Sequence, residues 1–422
     1  MNRIDLVLGI WSAFHRPRGP DLGVTLAANL THRPWRHRWA GLVLAAAGVL
    51  AVSACSSSGS SDASSGSTAT SSAAGSGDYN LAAAQQIVAK FTARPTSIGI
   101  TTPITGSIPK NKTIDLVQCG VPACASAGNY LVSAAQAVGW TVDRINAGLT
   151  AESTVAAWNQ AVANKPDGVV TSGTPRALFN PELAKLKAAG IPVVDESVDD
   201  PAGDGLSLVQ LGPSALANTG SNPGVGARIA DYMLAQNGGK AFEALAVYTS
   251  EYSSEIATLQ GFTSTIKSAC PKCKVDALNV PLSSIGSDLP TRITTYLTSH
   301  PQVKWVWPNY DDFVSGLPQA MQAAGQSGIK LVTWDSSSAS ISYMQNQQGL
   351  VAFDAYPAAK MMWRAIDFFI RSFTGQSTAV DSAVNLPAWV IDKPADIPQG
   401  PNGLFPLVAD YQAQFKKLWG LG

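Results

Sequence analysis

Short apolar runs alternate with helix-period segments from residue 113 to residue 347, and this alternation limits the fold more than any other feature of the chain. Runs at 113–118, 141–146, 168–172, 191–195 and 206–211 read as strands, and a second series follows at 244–249, 274–280, 303–307 and 329–334. Between most of them lie helical segments: 126–138, 151–163 and 180–189, then 224–236, 253–269, 287–299, 315–324 and 338–347. An earlier amphipathic helix is predicted at 81–91, where Leu81, Ala84, Ile87, Val88 and Phe91 share a face. Glycine and proline punctuate the joins, as in Val138-Gly139-Trp140 and Ala189-Gly190-Ile191-Pro192. Parallel strands need crossover connections, and crossover helices cover both faces of the sheet. The expected fold class is therefore α/β, with Rossmann-like doubly wound parallel sheets. Two series of similar length point to two domains joined by a multi-strand hinge. Ligands of open α/β sheets bind beyond the carboxyl ends of the strands, so two such domains facing each other make a ligand cleft.

Composition narrows the chemistry. Lys plus Arg and Asp plus Glu each number 29, a formal net charge of zero over 422 residues. A nucleic-acid partner held by phosphate neutralisation needs a basic surface and is not expected. Hydrophobic residues make up 45% of the chain, enough for sizeable cores. Of His15, His32, His37 and His300, only His300 follows Cys55, in a Ser-His-Pro turn. After Cys55 a clustered histidine metal site is excluded, and a Ser-His-Asp relay would rest on that one turn residue. Gly224-Val225-Gly226 lacks the third glycine of a dinucleotide site and does not directly follow a strand. Gly238-Gly239-Lys240 lacks the Ser or Thr of a phosphate loop, and there is no GxSxG elbow. No catalytic residue, metal or cofactor is expected.

Residues 1–54 read as a signal peptide of the lipoprotein type. Arg33, Arg36 and Arg38 precede an uncharged apolar run from Ala40 to Val52, and Ser53-Ala54-Cys55 follows. The run is shorter than the ~20 residues that span a bilayer. Val52-Ser53-Ala54-Cys55 resembles a bacterial lipobox, whose cysteine is diacylated and becomes the first residue; two acyl chains hold a protein stably at a membrane. Residues 56–77 are Ser, Gly, Ala and Thr apart from Asp62, so 55–78 reads as a disordered tether. Cys119, Cys124, Cys270 and Cys273 allow three pairings. The local one, Cys119–Cys124 and Cys270–Cys273, is favoured by the long separation of the two pairs and by an exported location. Cys270-Pro-Lys-Cys273 also has redox spacing, but it ends a helical segment, whereas a redox motif opens one.

Several phrases, in order, resemble the type I periplasmic binding proteins, in the ribose-binding branch of ABC-transporter receptors. They are Pro166-Asp167-Gly168-Val169-Val170 with Leu186 to Asp195, Val225 to Leu234, Gln260-Gly261-Phe262, Leu297 to Val303, and Lys330 to Asp335. The match runs from about 112 to 392. It divides the chain into a helix and extended arm at 79–111, a first domain of 112–212 plus 353–378, and a second of 213–352 plus 379–422. The resemblance implies a ligand site built from Tyr130, Thr174 and Arg176 of the first domain. Tyr252, Tyr310, Asp311 and Asp335 would come from the second, with Asp354 near the hinge.

The chain departs from the sugar-binding members at several of these positions. Thr174 stands near an acidic position of the family, Thr258 where the family usually has an Arg, and Tyr310-Asp311 where it has Asn-Asp; Asp335 is kept. Two polar anchors are lost and aromatic ones gained, which suits a sugar, a less hydroxylated ligand or a cationic one. Trp305 and Trp307 are expected in the core, Trp334 equally in core or cleft, and Asp335 has an alternative role as cap of the helix near Ser338. The function implied is that of a monomeric solute-binding lipoprotein on the outer face of the cytoplasmic membrane. It would close on a small polar ligand and deliver it to an ABC permease. Sensing through a membrane histidine kinase is the alternative; a surface hydrolase is opposed by the single late histidine.

Overall fold

The computed structural model describes residues 77–198, 200–380, 386–398 and 403–422. The expected signal peptide, Cys55 and nearly all of the tether lie outside the described residues. After helix α1 (Leu81–Val88), the first lobe forms around β1 (Thr113–Gln118), β2 (Thr141–Asn146), β3 (Gly168–Thr171), β4 (Val193–Ser197) and β5 (Leu206–Leu211). These strands are parallel and lie in the order β2-β1-β3-β4-β5. Their crossovers are α2 (Pro122–Ala137), α3 (Ala151–Asn164) and α4 (Asn180–Ala188), and α5 (Pro213–Ala217) follows β5. Local chemistry sets the ends. Pro122 starts α2, where its missing N–H costs nothing, and Gly139, at φ +77°, closes it in the left-handed region. Thr150 and Ser153 form a reciprocal capping box at the start of α3.

The second lobe runs α6 (Val225–Gln236), β6 (Glu243–Tyr248), α7 (Ser253–Ala269), β7 (Lys274–Asn279), α8 (Leu289–Ser299), β8 (Val303–Pro308), α9 (Leu317–Ala323), β9 (Lys330–Trp334), α10 (Ser338–Gln345) and β10 (Leu350–Asp354). Helix α11 (Ala358–Phe373), β11 (Val390–Ile391) and α12 (Tyr411–Leu418) complete the chain. The second sheet has the order β11-β10-β9-β8-β6-β7, parallel except for β11. Helices α6 and α7 pack so closely that a Cβ on Gly226 would run into the Thr258 carbonyl oxygen. The glycines of Gly224-Val225-Gly226 therefore serve helix packing.

Each sheet is covered on both faces. The first has α2, α11 and α12 on one side, and α3 and α4 on the other. The second has α1, α6 and α7 on one side, and α8, α9 and α10 on the other. Trp305 and Trp307 are both buried in the layer with α6 and α7, as their shared strand face requires. The C-terminal stretch serves both lobes: β11 joins the second sheet, whereas α12 packs on α11 with Trp419 stacked on Trp363 at 5.2 Å. The segment 379–422, expected with the second domain, thus contributes to each. The arm after α1 also changes lobes, since Val88 packs against α6 while Ile98, Ile100 and Ile104 pack in the first lobe. Among the described residues no helix is long and apolar enough to cross a membrane.

Candidate ligand-binding cleft

Strand order reverses beside β1 and β3 in the first sheet, and beside β6 and β8 in the second. Such switch points leave a crevice where neighbouring loops diverge. The carboxyl ends of strands from both lobes line one small cavity of about 50 Å³. Cys119 after β1, Ser172 after β3 and Glu196 at the end of β4 come from the first lobe. Tyr252 and Glu255 after β6, Tyr310 after β8, and Trp334 and Asp335 at the end of β9 come from the second. Tyr356, next to the hinge crossing after β10, completes the lining with Leu404. The structure joins Cys119 to Cys124 and Cys270 to Cys273. The first disulfide fixes one wall of the cavity by tying the β1 loop to the first turn of α2.

Three carboxylates line this space, and no Lys, Arg or His among the described residues does. Neither oxygen of Glu196 has a hydrogen-bond partner of good geometry, and one oxygen of Glu255 lacks a partner; both residues are at most 1% exposed. Burial pushes the Glu196 carboxyl up to about 7 against the pull of the neighbouring Ser172 and Tyr356 hydroxyls. Burial pushes Glu255 up to about 8, although the Thr249 N–H donates to it at 2.7 Å. Asp335 is raised well above the ordinary carboxylate range by burial and by Asp311, with smaller repulsions from Asp312 and Glu196. Its backbone has φ +78°, a left-handed conformation that aspartate visits at a cost. That conformation is held by the Asp335 N–H donating to the Asp354 carbonyl, and by the Ser336 N–H donating to the Asp335 side chain at 2.6 Å.

Asp335 does not cap α10. Ser337 does, accepting from the Ser340 N–H in a capping box. Tyr252 and Tyr310 meet edge-to-face at 6.4 Å over the cavity, and Trp334 meets Tyr356 at 5.7 Å. Trp334 separates the cavity from a larger groove of about 610 Å³ on the hinge side, which lacks these convergent carboxylates.

The other sequence-derived residues fall around this centre. Thr174 lines a neighbouring cavity of about 320 Å³ that shares Cys119 and Tyr252 with the first. Tyr130 donates its hydroxyl to the Leu404 carbonyl and so steadies a lining residue from behind. Arg176 turns to Asn180 and Asp204 at the surface, away from the cavity. Asp311 is fully buried behind the lining, accepting from the Ser340 hydroxyl at 2.9 Å. Asp354 pairs with Arg228 at 2.7 Å. Thr258 donates to Asn309, whose amide holds the Glu255 carbonyl. Sequence reasoning missed Glu196, Glu255 and Tyr356. Glu196 follows directly on a recognised strand run, Val193-Val194-Asp195, and a strand end in this fold faces the cleft. That signal was available for Glu196; Glu255, inside a helix, offered none.

A family model described as a periplasmic binding protein domain matches residues 121–370. The chain belongs to this family. As a periplasmic binding protein it shares its fold with several solved structures. An ABC sugar transporter subunit from Rhodobacter sphaeroides is 22% identical, with a TM-score of 0.56 over 67% of this chain and 98% of that one. An ABC transporter solute binding protein from Agrobacterium vitis, solved with bound allitol, is 21% identical, with a TM-score of 0.54 over 74% of this chain and 100% of that one. The XylFII–LytSN complex contains a chain 16% identical, with a TM-score of 0.56 over 68% of this chain and 100% of that one. No curated protein matches the sequence.

Proposed function

We propose that this periplasmic binding protein is the lipid-anchored, extracytoplasmic receptor of an ABC importer, and that it captures a small polar solute by closing its lobes. The carrying observation is the cavity itself: acceptor groups from both lobes, Glu196 on one side and Glu255 and Asp335 on the other, converge on one small space. The cavity of about 50 Å³ is a third of the ~150 Å³ that admits benzene, so a ligand enters only when the lobes part. A ligand bridging both sides then favours the closed state by its differential affinity. Glu196, Glu255, Asp335, Tyr252, Tyr310 and Trp334 are the proposed contacts, and no catalytic step is assigned to them. Cys55 is the proposed acylation site.

Small-angle scattering with and without ligand, after a melting-temperature screen of sugars, polyols and amines, tests the receptor reading. The expected result is a smaller radius of gyration with a hit, and a melt raised by mass action. A hit that leaves the radius unchanged removes hinge closure. Cys55→Ser should release the protein into the medium or leave it unprocessed; normal membrane retention removes the anchor. The sensor reading draws on the neighbour solved as a complex. Unchanged solute uptake on gene deletion, with loss of a transcriptional response, would favour it over import.

A further inference from the structure

Resting on the receptor reading, we infer that the solute carries an organic ammonium group, held between Glu196, Glu255 and Asp335 and faced by the aromatic rings of Tyr252, Tyr310, Trp334 and Tyr356. The first observation is charge: three carboxylates line the cavity and no cationic side chain among the described residues joins them. The second is unmet bonding: three carboxylate oxygens, both of Glu196 and one of Glu255, are buried without partners of good geometry. A buried charge is retained only when it is paired or hydrogen-bonded, so this group of acceptors is completed by a donor from outside the chain. The third is the aromatic lining. Rings present a negative face, and an alkylammonium among several rings is stabilised by both the rings and the carboxylates. Neutral hydroxyls would satisfy the oxygens but would not draw the raised carboxyls into their charged form, as a cation does.

Among the described residues, the charged groups that act on these carboxyls are themselves acidic. Asp335 is faced by Asp311 and Asp312 from the segment after β8 and by Glu196 from the other lobe. Glu196 adjoins Asp195, which is also buried, and Glu255 is faced by Glu251. The nearby phenols of Tyr252, Tyr310 and Tyr356 are all held above their ordinary pKa and stay neutral. Arg228 is committed to Asp354 and stands on the other cavity. Burial raises the Glu196 carboxyl to about 7 and the Glu255 carboxyl to about 8, and a cation beside them pulls both back down. Binding of a cation is therefore coupled to proton release.

Purified full-length protein at pH 7 is titrated calorimetrically with D-glucosamine and 1,4-diaminobutane, and with D-glucose and glycerol as neutral counterparts. The two amines distinguish an amino sugar from an aliphatic amine. The expected result is at least tenfold tighter binding of an ammonium probe than of its neutral counterpart, with a heat that varies with the ionisation enthalpy of the buffer. Glu196→Gln should weaken the ammonium probe at least tenfold more than it weakens the neutral one. Asp335→Asn provides a second variant should the first not fold. Neutral probes that bind equally or more tightly, with lobe closure and buffer-independent heat, overturn the ammonium inference and leave the receptor reading standing. If no probe of either class shifts the melt or the scattering, both fail.

Discussion

Asp367 on α11 and Asp335 at the end of β9 are both buried carboxylates, and their surroundings differ in kind. Asp367 accepts from Arg364 at 3.2 Å, from Arg371 at 2.8 Å and from the Trp419 indole at 3.0 Å. Arg371 spends a further N–H on the Thr102 carbonyl, and Arg364 one on the Thr378 carbonyl. The first lobe thus ties α11, α12 and the N-terminal arm through a charge cluster with matched donors. The cleft cluster of Glu196, Glu255, Asp311 and Asp335 has acceptors in excess and no matched cation among the described residues. Removing one partner of a paired buried charge leaves the other exposed to full desolvation, whereas neutralising an unpaired one relieves a cost. The same residue type is therefore paired with cations in one place and, among the described residues, without one in the other.

The largest effect expected from breaking this contrast is in the paired cluster. Asp367→Ala should cost about 3–5 kcal/mol in urea unfolding, because Arg364 and Arg371 lose their shared acceptor. Ligand affinity of the surviving folded fraction should not change. In the cleft, Glu255→Gln should do the opposite. Glu255 has its folded pKa raised from 4.5 to about 8, so the folded state binds more protons than the unfolded one between those values. Stability is fully present below about pH 4.5 and is lost as pH rises towards 8. The ligand-free protein should therefore melt lower at pH 8 than at pH 5, and Glu255→Gln should recover roughly 3 kcal/mol at pH 8. A pH-independent melt difference between the two proteins would contradict this.

Asp335→Asn retains a side chain that tolerates φ +78° and removes the charge. It should weaken ligand roughly 10–150-fold, the worth of a charged hydrogen bond of ~1.5–3 kcal/mol, with little loss of stability. Cys119→Ala with Cys124→Ala opens a six-residue loop and should cost about 2 kcal/mol in the chain-entropy model. Its sharper readout is a weaker ligand affinity through the loosened wall. The smallest effect belongs to Ser337→Ala: about 1 kcal/mol of stability from the lost α10 cap, with an unchanged dissociation constant. That pair of outcomes separates cap from ligand group within three residues of sequence.

The β-α-β alternation was legible because period-two and period-3.6 patterns are local. Strands β1, β2 and β5 fall on their expected spans, and helix α7 does so to the residue. The short edge strand β11, two residues long, was not legible. Helix α11 was not among the expected helices although Lys360, Arg364, Asp367 and Arg371 recur at helical spacing; what the sequence did not show is that this polar stripe is buried with the rest of the helix, from Ala358 to Arg371. Sequence also selected the local cysteine pairs and the strand-end position of Asp335. It could not place Arg176, whose direction depends on Asn180 and Asp204 across a loop, or bring Glu196 of one lobe opposite Glu255 of the other. Propensity and patterning act over a few residues and determine the elements. Which carboxylates share a space, and whether a buried charge meets a cation, depends on contacts far apart in the chain, and those were decided only by the tertiary structure.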